Sequence, residues 1–331
     1  MKILIIGGTR FLGRYLAQHA LKLSHDVTLF HRGITQKNLF SQAKEIIGER
    51  ELDLHMLGED QWDVVFDTCA YHPKQVEQSA AFLKNKVGFY CLISTTAVYE
   101  RLDLVDLDEN SKKLKMPKGF SPQGNDKESY GARKSICEEL CIEYFNNRSL
   151  IIRPGFLVGP FDPTYRFTYW VKRLKQGDLT LLPDPKDNPF QVLDVRDLSK
   201  WLLKMAEKEL SGVFNVAGKK ITWNAFVESS INSSKNNKFE PIWVDSNFLL
   251  SENLLPGLDL PLWYPVTIGH HAIDIRKSND YGFEHRPLKQ TIEDTFEYSG
   301  TKNSIVREIG LPIDKEMKLI NKWKTLNSMR R

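Results

Sequence analysis

The first 155 residues alternate short, nearly unbroken apolar runs with stretches of helical periodicity. KILIIG reads as a buried strand, and RFLGRYLAQHALKL after it carries apolar residues at helical spacing. HDVTLFHRG, AKEIIGE, WDVVFDTCA, VGFYCLIST and RSLIIRPG read as five further strands. Helices are expected after Pro73 through AAFLKNK and over Tyr130–Phe145. Ile136, Leu140 and Tyr144 form one stripe on the second, open to the core or to a partner. Strands that are apolar on both faces need cover on both. The alternation therefore predicts an α/β chain with a doubly wound parallel sheet and helices on both faces. In such sheets ligands bind beyond the carboxyl ends of the strands.

The turn after the first strand is GGTRFLG, Gly7 to Gly13. Gly7 and Gly13 fit the outer positions of a G-x-x-G-x-x-G turn, where the backbone approaches a pyrophosphate and the following helix offers free N–H groups. The middle position is Arg10 rather than glycine. The turn residues Gly7, Thr9, Arg10, Phe11, Leu12 and Gly13 are the expected dinucleotide contacts, and the sheet is of Rossmann type. The second strand ends His31-Arg32-Gly33, without the carboxylate that binds the adenosine ribose of NAD. Arg32, with Arg10 across the turn, is placed to hold a 2′-phosphate. NADP(H) is the expected cofactor, with NAD(H) as the alternative.

Two further features carry chemistry. Tyr130 and Lys134 stand at i and i+4 on one helix face, where an ammonium lowers a phenol's pKa and suits it to acid/base work. Ser94-Thr95-Thr96 ends the fifth strand, where a hydroxyl could reach a substrate oxygen or simply cap the strand end.

Beyond Gly155 the rhythm breaks. GPFDPTYRF and LLPDPKDNPFQ are long connections rich in proline and aspartate, of the kind that line pockets. QVLDVRDLSKWLLKMAEK, with Asp194 and Asp197 as candidate helix caps, and GVFNVAG are expected to return to the sheet. This divides the chain into a Rossmann domain over 1–155 and a smaller C-terminal substrate lobe over 156–331, with about 189–217 returning. Arg166, with Tyr169 and Trp170, could offer a cation and an aromatic platform to a nucleotide sugar, or RFTYW could pack a helix on the core. Gln191, after Phe190, could face the same pocket.

Composition narrows the function classes. A net charge of +4 over 331 residues is too mild for a nucleic-acid binder, and the basic KEMKLINKWKTLNSMRR reads as a solvated helix face. No apolar run is long enough to cross a bilayer, and MKILII enters a glycine turn rather than a cleavage site. Cys69, Cys91, Cys137 and Cys141 lack CxxC spacing and read as free thiols in a reducing cytosol, so a cytoplasmic protein is expected. His270 and His271 are adjacent and cannot both face one ion from a regular element, so no metal is expected.

The glycine turn, STTAVY, YGARK, RPGFLVGP and QVLDVRDL stand in an order that resembles the extended short-chain dehydrogenase/reductase superfamily. Within it, the chain is similar to the NAD(P)-dependent epimerase/dehydratase family and to a GGTRFLG-bearing subgroup of bacterial proteins. The resemblance covers almost the whole chain. It implies Thr95 as the catalytic hydroxyl, Tyr130 as acid/base, and Lys134 as its modulator and a holder of the nicotinamide ribose. It also implies hydride transfer at a carbinol or carbonyl carbon of a small substrate, and often a homodimer. Thr96 and Ala97 supply no acid beside Thr95, which ranks a dehydratase behind a reductase, dehydrogenase or epimerase. An isoflavone-reductase-like enzyme would not rely on Tyr130 and Lys134. Some resembling chloroplast proteins bind RNA, so a cofactor-sensing or RNA-binding protein without catalysis is the alternative class. The chain departs from the family at Arg10, at Glu100 after Tyr99, and in the charged stretch Arg101–Ser129, expected as a mobile flap or a surface insertion.

Overall fold

The structure is a computed structural model and describes residues 1–232, 239–301 and 309–329. Two compact units are present. The first comprises Met1–Leu157, Leu193–Gly218 and Ile273–His285; the second comprises Val158–Val192, Lys219–Ala272 and Arg286–Arg331.

The first unit is built on strands β1 (Lys2–Ile6), β2 (Asp26–His31), β3 (Lys44–Ile47), β4 (Trp62–Asp67), β5 (Val87–Ile93) and β6 (Ser149–Pro154). With the Gly212–Val216 strand they form one seven-stranded sheet, ordered Gly212–Val216, β6, β5, β4, β1, β2, β3. Every pairing is parallel. The strand order reverses between β4 and β1, which opens the crevice where such sheets take ligands. Successive residues of β1 point to opposite faces. Leu4 and Ile6 join a core with Val76, Ala80 and Leu83 of helix α2 (Pro73–Leu83) and Cys137, Cys141 and Phe145 of helix α3 (Tyr130–Phe145). Ile3 and Ile5 are equally buried on the other side of the strand. Helix α1 (Phe11–Lys22) meets the Val195–Glu207 helix, with His19 Nδ1 2.8 Å from Ser199 Oγ.

Three details differ from the sequence reading. The cap of the Val195–Glu207 helix is Asp194, which accepts from Arg196 N at 2.9 Å; Asp197 lies inside the first turn. The deeply buried face of α3 carries Lys134, Cys137, Glu138 and Cys141, while Leu140 and Tyr144 pack only at the edge of the core. The 101–115 portion of the charged stretch is tied down rather than flap-like. Leu107 is buried and bridges Ile273, Tyr99 bridges Lys113, and Leu114 N donates to Val98 O at 2.7 Å.

In the second unit, Asp178–Asp184 pairs in parallel with Phe239–Asp245. Its core is aromatic: Phe190 stacks on Phe226 at 4.3 Å and meets Trp223 at 4.7 Å, and Trp170 meets Trp223 at 5.2 Å. Arg173 and Glu316 form a buried two-pronged ion pair, and Glu316 also accepts from Leu181 N. Among the described residues no helix is long and apolar enough to cross a membrane. Arg330 and Arg331, the end of the basic C-terminal run, lie outside the described residues.

Candidate dinucleotide and catalytic site

The glycine turn leaves β1 at the crevice. Gly7 has φ +111, and a side chain there would collide with the Thr68 hydroxyl at the end of β4. A Cβ at Gly13 would sit 2.5 Å from Gly8 N, so α1 lies directly on the turn. Arg10, by contrast, is extended (φ −133, ψ 135) and exposed. Nothing in its backbone calls for glycine, which is why an arginine is accommodated. Its side chain does not cap α1, so the first helical N–H groups keep their orientation toward the turn. Thr9 and Leu12 are buried and Phe11 is partly buried. These three can meet a ligand chiefly through their backbone.

At the end of β2, His31 is fixed from both sides. Its Nε2 lies 2.8 Å from Glu45 Oε1, and its Nδ1 accepts from Gly33 N at 3.0 Å. Arg32 points outward, 65% exposed, and meets Glu49 only at 3.8 Å. An exposed pair at that distance contributes little and leaves a guanidinium ready for a stronger anion.

Thr95, Tyr130 and Lys134 are brought together by contacts between the end of β5 and α3. Lys134 Nζ donates to Ile93 O at 2.7 Å, Ser94 Oγ donates to Glu138 Oε1 at 2.6 Å, and the Thr95 hydroxyl neighbours the Tyr130 phenol and favours its ionised form. Gly131 permits this approach, because a Cβ there would overlap the Ala97 carbonyl. Thr95 Oγ1 accepts from Ala97 N at 3.1 Å and so caps the short 3-10 turn Thr96–Val98 that follows the strand. Lys134 is fully buried and donates to Ala70 O as well, at 2.6 Å. Burial pulls its ammonium below the ordinary lysine range.

The phenol does not behave as the Tyr–Lys spacing predicts. Desolvation, with the neighbouring Tyr71 adding to it, pushes Tyr130 up to about 12, and the Thr95 hydroxyl opposes this only in part. Lys134 is engaged by two backbone carbonyls and joins the ends of β4 and β5.

Two buried polar clusters escaped the sequence reading. Glu138 receives both prongs of Arg153 at 2.9 and 2.8 Å. Arg153 also donates to the Tyr99 hydroxyl, and Tyr99 donates to Asn215 Oδ1 at 2.6 Å. Deeper, Arg50 grips Asp67 with two 2.8 Å bonds, and Tyr90 donates to the same carboxylate at 2.7 Å. The Arg50 ion pair holds the Asp67 carboxyl below its usual range against the desolvation that would raise it. The available signal was charge inside otherwise apolar strands, at Asp67 and Arg153; their partners are distant in sequence.

The substrate candidates fall in the second unit. Arg166 opens the Arg166–Gln176 helix, partly buried, with Nε 3.2 Å from Thr164 Oγ1, and its charge reaches His270. Tyr169 accepts from Leu311 N at 3.3 Å and packs edge-on against Trp170, whose indole donates to Pro261 O. These contacts are those of a packed helix rather than an aromatic platform. Gln191 is buried, with its backbone N–H bonded to His271.

A seven-stranded parallel sheet with a glycine turn at its reversal point defines a Rossmann-type α/β fold. Residues 3–217 match the sequence profile of the NAD dependent epimerase/dehydratase family, and the chain belongs to that family. Among curated proteins it is similar to the chloroplast stem-loop binding protein of 41 kDa b from Arabidopsis thaliana, 27% identical over 242 residues. That match covers 66% of this chain and 59% of the relative's length. Among solved structures it is similar to UDP-glucuronic acid 4-epimerase from Bacillus cereus in complex with NAD (TM-score 0.66, 19% identity, 92% of this chain and 99% of that one). It is also similar to UDP-N-acetylglucosamine 4-epimerase from Methanobrevibacter ruminantium in complex with UDP-N-acetylmuramic acid (TM-score 0.67, 18% identity, 90% and 97%).

Proposed function

We propose that the chain is an NAD(P)-dependent oxidoreductase or epimerase acting at a carbinol or carbonyl carbon of a small substrate, with NADP(H) preferred. The observation that carries this is that bonds from Ile93 and Ser94 to α3 draw the end of β5 against the helix that bears Tyr130 and Lys134, with the Thr95 hydroxyl beside the Tyr130 phenol. A dinucleotide fits the turn at Gly7 and Gly13, where the absence of side chains lets Thr68 and the Gly8 backbone pack tightly and leaves the turn's own backbone to face a ligand. The nicotinamide supplies hydride chemistry when bound. The chain's own groups handle the oxygen and its proton. Thr95 orients the substrate oxygen, and Tyr130, protonated at neutral pH as any phenol is, donates to a carbonyl oxygen and recovers the proton in reverse. Lys134 holds the strand ends that frame the site.

Arg10 and Arg32 support the choice of NADP(H). Both act electrostatically on the Tyr71 phenol, which supports their sharing one anionic ligand. A 2′-phosphate there would receive charge-assisted bonds of about 1.5–3 kcal/mol each. A nucleotide sugar as substrate is supported by the relatives named for such compounds and by Arg166 as a partner for an anionic group.

The plant relative's name favours a second reading, binding to RNA. Three lysines of the basic Ile313–Met329 helix argue against it. Lys315 pairs with Asp259 at 3.2 Å, Lys322 with Glu252 at 2.5 Å and Lys324 with Glu240 at 3.8 Å. Calorimetric titration with NADPH, NADH and a stem-loop RNA separates the readings. NADPH should bind at least ~10-fold tighter than NADH, the worth of one such bond. Arg32→Asp should erase or reverse that preference. Equal or tighter NADH binding refutes the arginine clamp, and RNA binding without dinucleotide binding refutes the enzyme.

A further inference from the structure

The segment Thr68–Tyr71 runs from the glycine turn to the catalytic lysine. At one end the Thr68 hydroxyl fills the space a side chain at Gly7 would need, and Cys69 Sγ lies 3.8 Å from that same point. At the other end Ala70 gives its carbonyl to Lys134 Nζ at 2.6 Å. The next residue, Tyr71, is 54% exposed although both of its neighbours in space are held. Its backbone is fixed, since its N–H donates to Gln75 Oε1 at 2.9 Å. Its phenol feels the charges of Arg10 and Arg32, and it in turn acts on the Tyr130 phenol. The adenosine end of the expected dinucleotide belongs with the arginines, and its nicotinamide end with Tyr130. What lies between those ends in any nicotinamide dinucleotide is the diphosphate.

We infer that Tyr71 is a cofactor-binding residue that covers the dinucleotide between Arg10 and Tyr130, its hydroxyl donating to the diphosphate and its ring lying against the adjoining ribose. The inference rests on the dinucleotide reading and adds a residue to it. A tyrosine phenol is protonated at neutral pH, and desolvation moves Tyr71 further that way, so it is a donor, the role an anionic diphosphate requires. The ring is held out by a rigid backbone, so little ordering cost remains when a ligand arrives. Its exposure is that of a surface awaiting a partner and not of a core residue, and removing it should leave the fold intact.

Calorimetry on the full chain tests this with Tyr71→Phe and Tyr71→Ala. Because the diphosphate is common to both cofactors, Tyr71→Phe should weaken NADPH and NADH by the same factor, at least ~10-fold, as expected for losing a hydrogen bond to a charged group, and Tyr71→Ala should weaken both further because the ring is lost too. The thermal midpoint of the ligand-free variants should match wild type. Wild-type affinity of Tyr71→Ala for both dinucleotides overturns the inference while leaving the cofactor reading intact. Weakening of NADPH alone also overturns it, because Tyr71 would then serve the 2′-phosphate. A wild-type chain that binds neither dinucleotide overturns the cofactor reading itself.

Discussion

Tyr130 is the residue on which the chemistry turns. A phenol held at about 12 cannot ionise at neutral pH, so in the free protein it is an acid. Replacing it with Phe removes the proton donor and keeps the ring. Turnover on a validated substrate should fall at least ~100-fold, with dinucleotide affinity unchanged. A Phe variant turning over at the wild-type rate would exclude Tyr130 as acid/base. Arg166 offers a second test. Arg166→Ala should raise KM for an anionic substrate more than for an uncharged analogue; equal rises in both, with a lower thermal midpoint, would make it a packing residue. At this scale sequence conveys residue type and spacing but not backbone angles. A missing glycine at position 10 looks anomalous in the sequence and is ordinary in the structure, because that position is extended. Nor does the Tyr–Lys spacing reveal that Lys134 is already occupied by the carbonyls of Ala70 and Ile93.

Between β5 and α3 the decisive contact is Glu138. It receives Ser94 from the strand and Arg153 from β6, and both it and Arg153 are buried. Leaving Arg153 buried without its carboxylate should cost about 3–5 kcal/mol, so Glu138→Ala should unfold at markedly lower urea concentration. Ser94→Ala removes one bond and should cost about 1–3 kcal/mol, because an acceptor is left in a buried site. If Glu138→Ala proved no worse than Ser94→Ala, the ion pair would not be what holds the helix to the sheet. The strands and helices themselves were readable in the sequence, because each announces itself within a dozen residues through apolar periodicity. The Glu138–Arg153 and Arg50–Asp67 pairs were not, since each joins residues 15 and 17 positions apart on different elements. The anchoring of 101–115 was hidden for the same reason: its partners, Ile273 and Asn215, lie far along the chain.

At the scale of the whole molecule, acid should be destabilising in a defined window. His271 in the second unit is fully buried, stacks on Phe190, accepts from Gln191 N at Nδ1 and donates from Nε2 to Leu262 O at 2.8 Å. Burial lowers its pKa to about 4 from 6.5. The unfolded chain therefore takes up a proton near pH 6.5 that the folded chain refuses until about pH 4. Stability is complete above 6.5 and falls as pH drops toward 4, by on the order of 3 kcal/mol from this group. Urea midpoints at pH 7 and pH 4.5 should show the loss, and His271→Asn should show less of it. An equal pH dependence in the variant would assign the acid sensitivity elsewhere.

The first unit is assembled from three separated stretches, and the last of these ends at His285. The strand Gly212–Val216 that completes the sheet is followed by Ile273, which bridges Leu107 only after more than fifty further residues. A ribosome making this chain would release the glycine turn and most of the sheet well before the edge strand exists. During that interval β6 offers an unpaired edge to any neighbouring nascent chain. The first unit cannot be completed until the chain has been made past His285, and a gene cut after residue 157 would encode a sheet with one strand missing.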